Sequence, residues 1–298
     1  MQQETKSGFI AIVGRPNVGK SSLLNQMLGK KVAIVSQKPQ TTRTRITGVL
    51  TTGLTQLVFF DTPGLHKPKN ALGQYMVKLV GDSVADVDAA ILVTEATGAL
   101  TRAELDLIEN LKTNQMPAIA VINKTDILKE KEAMLAKMAL LSEAYSFDHI
   151  IPLSALTGEG VDILLQKLEE YTVEGPHFFD DDALTDQPEK VIAGEIIREK
   201  LLMYMQEEIP HGTAVLVETM KEREDKEIID IDAYIYCERD NHKGMIIGKQ
   251  GAMLKKVASQ ARVDMERFFG VKVNLKCWVK VKEDWRNREQ IIRSLGYQ

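Results

Sequence analysis

Cysteines and long apolar runs are scarce in this chain, and each scarcity excludes a class of protein. Two cysteines, Cys237 and Cys277, are too few for a disulfide framework or a thiolate metal centre. Both fall in strand-like segments, so buried, reduced thiols in a reducing cytoplasm are expected. No apolar run approaches the ~18 residues of a membrane-spanning helix. The most apolar stretch, around Ile91, is broken by Asp88 and Glu95. The opening Met-Gln-Gln-Glu-Thr-Lys is polar and lacks the apolar core of a signal peptide. There is no internal repeat and no low-complexity tract. What remains is a globular composition, 44% hydrophobic and 27% charged, over 298 residues, a length that predicts two domains.

The net charge of −4 conceals an uneven distribution. Residues 241–298 carry 13 Lys and Arg against 5 Asp and Glu, while residues 1–240 carry 25 against 37. An acidic body with a basic C-terminal region suggests that the latter meets a polyanion.

Up to about residue 172, strand-like apolar runs at 9–13, 47–52, 56–60, 89–94, 118–122 and 149–153 alternate with helical stretches. Near-continuous apolar strands are those covered on both faces, so a doubly wound, mainly parallel α/β sheet is predicted for residues 1–173. Residues 174–189 hold Gly175, Pro176, Pro188 and the run Asp180-Asp181-Asp182, and read as a linker. Residues 190–298 read as a small α+β unit. Its order is helix to about 208, strands over 213–220 and 228–237, a short helix, a long helix over 251–269 and a strand over 271–282.

The stretch Gly14-Arg-Pro-Asn-Val-Gly-Lys-Ser21 lies between the first strand and a helix. This context turns a glycine pattern into a phosphate site. Backbone N–H groups of Gly14, Asn17, Val18 and Gly19 can converge on phosphate oxygens, helped by the helix N-terminus at Ser21 and Ser22. Lys20 can reach the outer phosphates, and the Ser21 hydroxyl can ligate magnesium. The next motif, Asp61-Thr-Pro-Gly64, is an ordinary turn when alone. Downstream of a phosphate loop, it offers Asp61 to magnesium and the Gly64 N–H to the terminal phosphate.

Asn123-Lys-Thr-Asp126 follows the fifth strand and chooses the base. The Asp126 carboxylate can accept from the ring N–H and exocyclic amine of guanine, a donor pair that adenine lacks. The Lys124 stem can cover the base plane, Asn123 can tie this loop to the phosphate loop, and the Ala155 N–H, after Ser154, can meet the guanine 6-oxo group. Residues 30–45 show no sustained period and form a candidate switch. Within it, Thr42 is favoured over Thr41 as a magnesium ligand that comes and goes with the terminal phosphate.

Together with Pro39-Gln-Thr-Thr-Arg43 and Ser154-Ala-Leu156, these motifs resemble the translation-factor-like GTPases. The C-terminal unit adds Ile246-Ile247-Gly248-Lys249-Gln250-Gly251 between two helices. Gly-x-x-Gly lets a nucleic-acid backbone approach closely, with Lys249, Lys255, Lys256 and Arg262 near its path. This arrangement resembles a type II KH domain, and the whole chain then resembles the Era GTPases.

The resemblance implies a magnesium-dependent GTP/GDP switch that binds the single-stranded 3′ end of 16S ribosomal RNA and assists assembly of the 30S subunit. It further implies a monomer in the cytoplasm. It also raises peripheral contact with the inner face of the membrane, which the basic C-terminal face permits without requiring. Catalysis would rest on Lys20, Thr42 and Gly64. Ras-type GTPases place a water-orienting glutamine where this chain has Leu65, followed by His66, so slow intrinsic hydrolysis is expected and no side chain is assigned as base. There is no evident arginine finger. Asn17 marks a candidate potassium site, since related GTPases with asparagine there use that ion. A GTP-gated RNA scaffold with incidental hydrolysis is the alternative, and Asp126 disfavours an ATP-driven remodeller. Trp278 and Trp285 can stack bases, pack in the core or anchor the surface.

Overall fold

The computed structural model describes residues 4–64, 68, 70–128, 131–224 and 226–297. The chain divides into two compact units, with the main boundary between Asp186 and Gln187.

In the first unit the elements run β1 (Lys6–Val13), α1 (Lys20–Leu28), β2 (Ile46–Thr52), β3 (Thr55–Asp61), α2 (Ala71–Ala85), β4 (Ala89–Glu95) and α3 (Arg102–Thr113). They continue with β5 (Ala118–Asn123), α4 (Lys131–Ala144), β6 (His149–Pro152), α5 (Val161–Leu168) and β7 (Val173–Glu174). Among the described residues the sheet order is β2-β3-β1-β4-β5-β6, parallel except for the edge strand β2, with β7 antiparallel against the start of β1. Strands β1, β4 and β5 are fully buried along most of their length, as a sheet covered on both faces requires. Two hydrophobic clusters form, one on each face: Ile10, Ile12, Ile91 and Val121 point one way, Ala11, Leu92, Ala120 and Ile122 the other. The strands therefore deliver their carboxyl ends, and every motif named above for the nucleotide, to one edge of the sheet.

Residues 174–186 are held to the first unit and do not hang free of it. Gly175 and Thr5 exchange two hydrogen bonds (3.0 and 2.7 Å), and Ser7 donates to the Pro176 carbonyl (2.9 Å). Gln56 is completely buried. Its amide accepts from the N–H groups of Phe178 and Phe179 (2.8 and 3.0 Å) and donates to the Phe179 carbonyl (2.9 Å). Further on, the Val49 N–H donates to Leu184, and Thr47 donates to Asp186. A buried glutamine left unpaired would cost about 1–3 kcal/mol, which explains why a segment of linker-like composition is pinned along β2 and β3.

The second unit comprises α6 (Glu189–Tyr204), β8 (Ala214–Arg223), β9 (Lys226–Cys237), α7 (Asp240–Ile247), α8 (Ala252–Phe269), β10 (Lys272–Val281) and α9 (Glu289–Ser294). Its sheet runs β10-β9-β8, with β8 antiparallel and β10 parallel to β9. Helix α6 ends four residues earlier than its pattern predicts, because Met205 turns to an extended conformation ahead of Pro210. Val257, Ala261 and Met265 of α8 pack with Ile196, Ile197 and Leu201 of α6 over Ile231, Ala233 and Ile235. Cys237 is buried and Cys277 half-buried, its thiol pushed up to about 12 by burial, so both are inert core residues. No helix among the described residues is long and apolar enough to cross a membrane.

Candidate nucleotide and RNA sites

Four loops converge at the carboxyl edge of the first sheet. Gly19 caps α1 in a left-handed conformation, and Lys20 then turns inward, only 6% exposed. Its ammonium donates to the carbonyls of Gly14 (3.1 Å) and Arg15 (3.2 Å). Burial lowers its pKa to about 8, and the attraction of Asp61 opposes that shift without cancelling it. Val18 is fully buried, and Ser22 lines a cavity of about 460 Å³ with Asn25, Gly29, Lys30 and Ala155.

Asp61 ends β3 with no exposed surface. Its Oδ2 accepts from Ser21 Oγ (2.6 Å) and from Thr42 Oγ1 (3.4 Å), and the two hydroxyls lie 2.9 Å apart. Its other oxygen, Oδ1, is buried without a partner. Burial raises this carboxyl to about 6, against the pull of Lys20 and the two hydroxyls. A carboxylate oxygen lacking a donor beside two hydroxyls is a hard oxygen set that fits magnesium. Thr42 stands in this cluster. Thr41 instead hydrogen-bonds Ser36 and the Lys38 carbonyl. Gly64 lies against the phosphate loop so closely that a Cβ there would come within 2.6 Å of Pro16 backbone atoms. Leu65 and His66 lie outside the described residues.

The base loop is braced from two sides. The Asn123 amide donates to the Val18 carbonyl (2.8 Å), which joins it to the phosphate loop. Ser154 donates to Asp126 Oδ1 (2.5 Å), which fixes the carboxylate. The Ala155 N–H donates to Asn123 Oδ1 (2.9 Å). The same bond closes the loops on each other. Lys124, at φ 65°, donates to the Asn17 carbonyl (2.8 Å).

Two residues that sequence reasoning passed over complete the site. Glu95, the last residue of β4, pairs with both Arg15 and Lys124 and so bridges the phosphate loop and the base loop. Its place at a strand's carboxyl end was the available signal. Asn25 of α1 accepts from the N–H groups of Val32 and Ala33 (both 2.9 Å) and donates to the Ala33 carbonyl (2.8 Å), anchoring the start of the switch. Asn17 reaches the far side of that switch, donating to the Gln37 carbonyl (2.8 Å).

In the second unit, α7 gives way at Gly248 to a short turn over Lys249–Gly251. Gly248 has φ 72°, and a Cβ there would meet Met253 Cβ at 2.7 Å, so only glycine fits. Lys249 and Gln250 project into solvent beside the half-buried Ile247. Lys255 is exposed, and the Lys256 ammonium lies 4.1 Å from the centre of the Tyr204 ring. Arg262 lies further along the same helix. It is paired with Glu266 (2.7 Å), and it sits about 16 Å along the helix from Gly251 at 1.5 Å per residue. Trp285 is a core residue, donating to the Gly212 carbonyl (2.9 Å), whereas Trp278 is exposed.

A glycine phosphate loop, a buried lysine and an aspartate-capped base loop on a mainly parallel sheet, followed by an α+β unit with Gly-x-x-Gly, define a P-loop GTPase with a C-terminal KH domain. Residues 9–124 match the family described as 50S ribosome-binding GTPase, and residues 208–286 match the KH domain. The chain is 49% identical to GTPase Era of Ruminiclostridium cellulolyticum over 98% of each chain. It is 48% identical to GTPase Era of Clostridioides difficile, again over 98% of each. Among solved structures, a point variant of Aquifex aeolicus Era bound to GDP and aluminium fluoride superposes with a TM-score of 0.95 at 37% identity, covering 98% of this chain and 99% of that one. An Era complex with MgGDPNP and nucleotides 1506–1542 of 16S ribosomal RNA gives 0.92 at the same identity and coverage. The chain belongs to the Era family of GTPases.

Proposed function

We propose that this protein is a magnesium-dependent GTP switch that binds the 3′ end of 16S ribosomal RNA through its KH domain and serves assembly of the 30S subunit. The observation that carries the nucleotide half is the oxygen cluster of Ser21, Thr42 and Asp61, closed around a buried carboxylate atom that has no donor. These three residues hold magnesium in this reading, and the ion supplies positive charge against the phosphates. Lys20 places its ammonium on the outer phosphates, and Gly64 brings its backbone to the terminal one. Asp126, oriented by Ser154, selects guanine. Thr42 engages while the terminal phosphate is present and releases after hydrolysis, which makes residues 30–45 the part that senses nucleotide state.

The RNA half is supported by the exposed Lys249 and Gln250 on a glycine turn and by the ribosomal RNA bound to the Era relative. The decisive experiment is GTP turnover with and without a short single-stranded RNA copied from the 16S 3′ end. Lys249→Glu is the better control, because an aspartate at Gly248 would collide with Met253 and damage the fold. Turnover stimulated by RNA in the wild type and unstimulated in Lys249→Glu is the expected result. RNA bound tightly with unchanged turnover would overturn the switch in favour of a scaffold.

Potassium beside Asn17 belongs to the same reading. Arg15 is held by Glu95, so a monovalent cation would supply the charge that an arginine brings elsewhere. Turnover in potassium is expected to exceed that in sodium several-fold. Equal rates in the two salts would remove the ion from the mechanism.

A further inference from the structure

The sheet of the second unit has one face against α6 and α8, made of residues such as Ile231, Ile235 and Val279. The alternate residues point the other way. In the β9–β10 register, Trp278 stands beside Tyr234, and Lys280 beside Tyr236. The Trp278 and Tyr234 rings lie 5.5 Å apart and tilted by 37°, with Tyr236 6.2 Å beyond. Trp278 is 43% exposed. The Lys280 ammonium sits 3.5 Å from the Tyr234 ring centre and that of Lys282 4.5 Å from Tyr236, while Lys276 is exposed one step along β10. The two aspartates of this face are occupied, Asp230 by Arg223 and Asn274, Asp232 by Thr219.

We propose that this aromatic and lysine-rich face is a second surface for single-stranded RNA, separate from the Gly-x-x-Gly turn. The proposal rests on the reading of the second unit as RNA-binding. The turn joins α7 to α8, so it belongs to the helical side of the sheet, and the two surfaces face opposite ways. Lysines on an edge strand such as β10 discourage pairing with another sheet, but that role does not call for an exposed tryptophan among them. The lysines lie along the rings at cation–π distance, an arrangement that keeps the aromatic row soluble. A base stacking on Trp278 would release Lys280 and Lys282 to the phosphates on either side. Aromatic rings with interleaved positive charge fit bases and phosphates together, and each stacked base contributes with little regard to its identity. A lipid surface would instead favour a broad aliphatic wedge, whereas here Leu216 of β8 stands beside Tyr234 among rings and lysines.

The test uses the full chain with two single-stranded RNAs. One has about four nucleotides, enough for the turn alone, and the other about 12, with a pyrimidine extension. Trp278→Ala is expected to weaken binding of the longer RNA about 10-fold and to leave the shorter unchanged, while Trp278→Phe restores most of the loss. Because Trp285 is buried, acrylamide quenching reports on Trp278, and the longer RNA should protect it. Equal affinities of wild type and Trp278→Ala for the longer RNA, without protection, would overturn the proposal. So would a loss confined to phosphatidylglycerol vesicles, which would assign the face to a membrane surface. Lys249→Glu separates the two readings. Loss of Trp278-dependent binding alone sinks this surface. Persistence of Trp278-dependent binding with Lys249→Glu neutral sinks the Gly-x-x-Gly site and keeps this one.

Discussion

Asp126→Asn protein is expected to lose at least about 100-fold in GTP affinity and to prefer xanthosine triphosphate. The carboxylate accepts two N–H groups from guanine. An amide keeps one acceptor and presents an N–H where the exocyclic amine of guanine also presents one, so two donors face each other. Xanthine carries an oxygen at that position and restores the pairing. The structure adds a condition to the experiment: Ser154 donates to Asp126 Oδ1, so the hydroxyl sets the plane of the carboxylate before any base arrives. Ser154→Ala should therefore weaken GTP binding by a smaller factor, about 10-fold, without changing which base is preferred. Nucleotide affinities measured by fluorescent-analogue displacement would decide both. An Asp126→Asn protein that still favours GTP would show that the base is read elsewhere.

The parts of this site that were legible in the sequence are those in which neighbours in the chain are also neighbours in the site. The phosphate loop, Asp61 at the end of β3 and Asn123–Asp126 after β5 each carry a complete local signal: an apolar run, then polar residues at the carboxyl end. The β-α-β alternation that predicted a parallel sheet carries the fold in the same way, and the KH unit follows from its element order and its glycine turn. Pairings across the sequence were not legible. Ser154 meets Asp126 only because β5 and β6 lie in parallel register, and Glu95 meets Arg15 and Lys124 only because β4 lies between β1 and β5. The place of Glu95 at a strand's carboxyl end was a signal, but nothing in the sequence named its two partners. Composition marked residues 174–189 as a linker, and the boundary between the units falls inside that span, but composition did not show that its first part is tied to the sheet. The need of the buried Gln56 for partners, invisible to any periodicity, ties that segment down. The pairing of Arg262 with Glu266 one turn on was likewise not singled out from the sequence.

Lys20→Met is expected to lower affinity for GDP and GTP by roughly 10²–10³-fold, since it removes a buried charge-assisted contact to the outer phosphates. The wild-type protein should show a second signature, of known sign. Without nucleotide, burial holds the Lys20 pKa at about 8, below its ordinary value of 10.5. A depressed lysine pKa means that the fold disfavours the charged form. This burden is absent above the ordinary lysine pKa and grows as pH falls towards about 8, where the empty protein must carry an ammonium with too few counter-charges. Bound phosphates supply those counter-charges and restore the protonated form. Nucleotide binding at pH 9 should therefore take up close to one proton, and affinity should fall by about 5-fold between pH 8 and pH 9 while levelling off below about pH 7. Calorimetric titration of GDP in EDTA, in buffers of different ionisation enthalpy, would measure the uptake with no divalent cation at Asp61. The same titration of Lys20→Met should show neither the uptake nor the fall. A wild-type affinity independent of pH over this range would mean that Lys20 is charged before the nucleotide arrives. The ammonium would then be satisfied by the Gly14 and Arg15 carbonyls and by Asp61, and the loss in Lys20→Met would reflect removal of a phosphate contact alone.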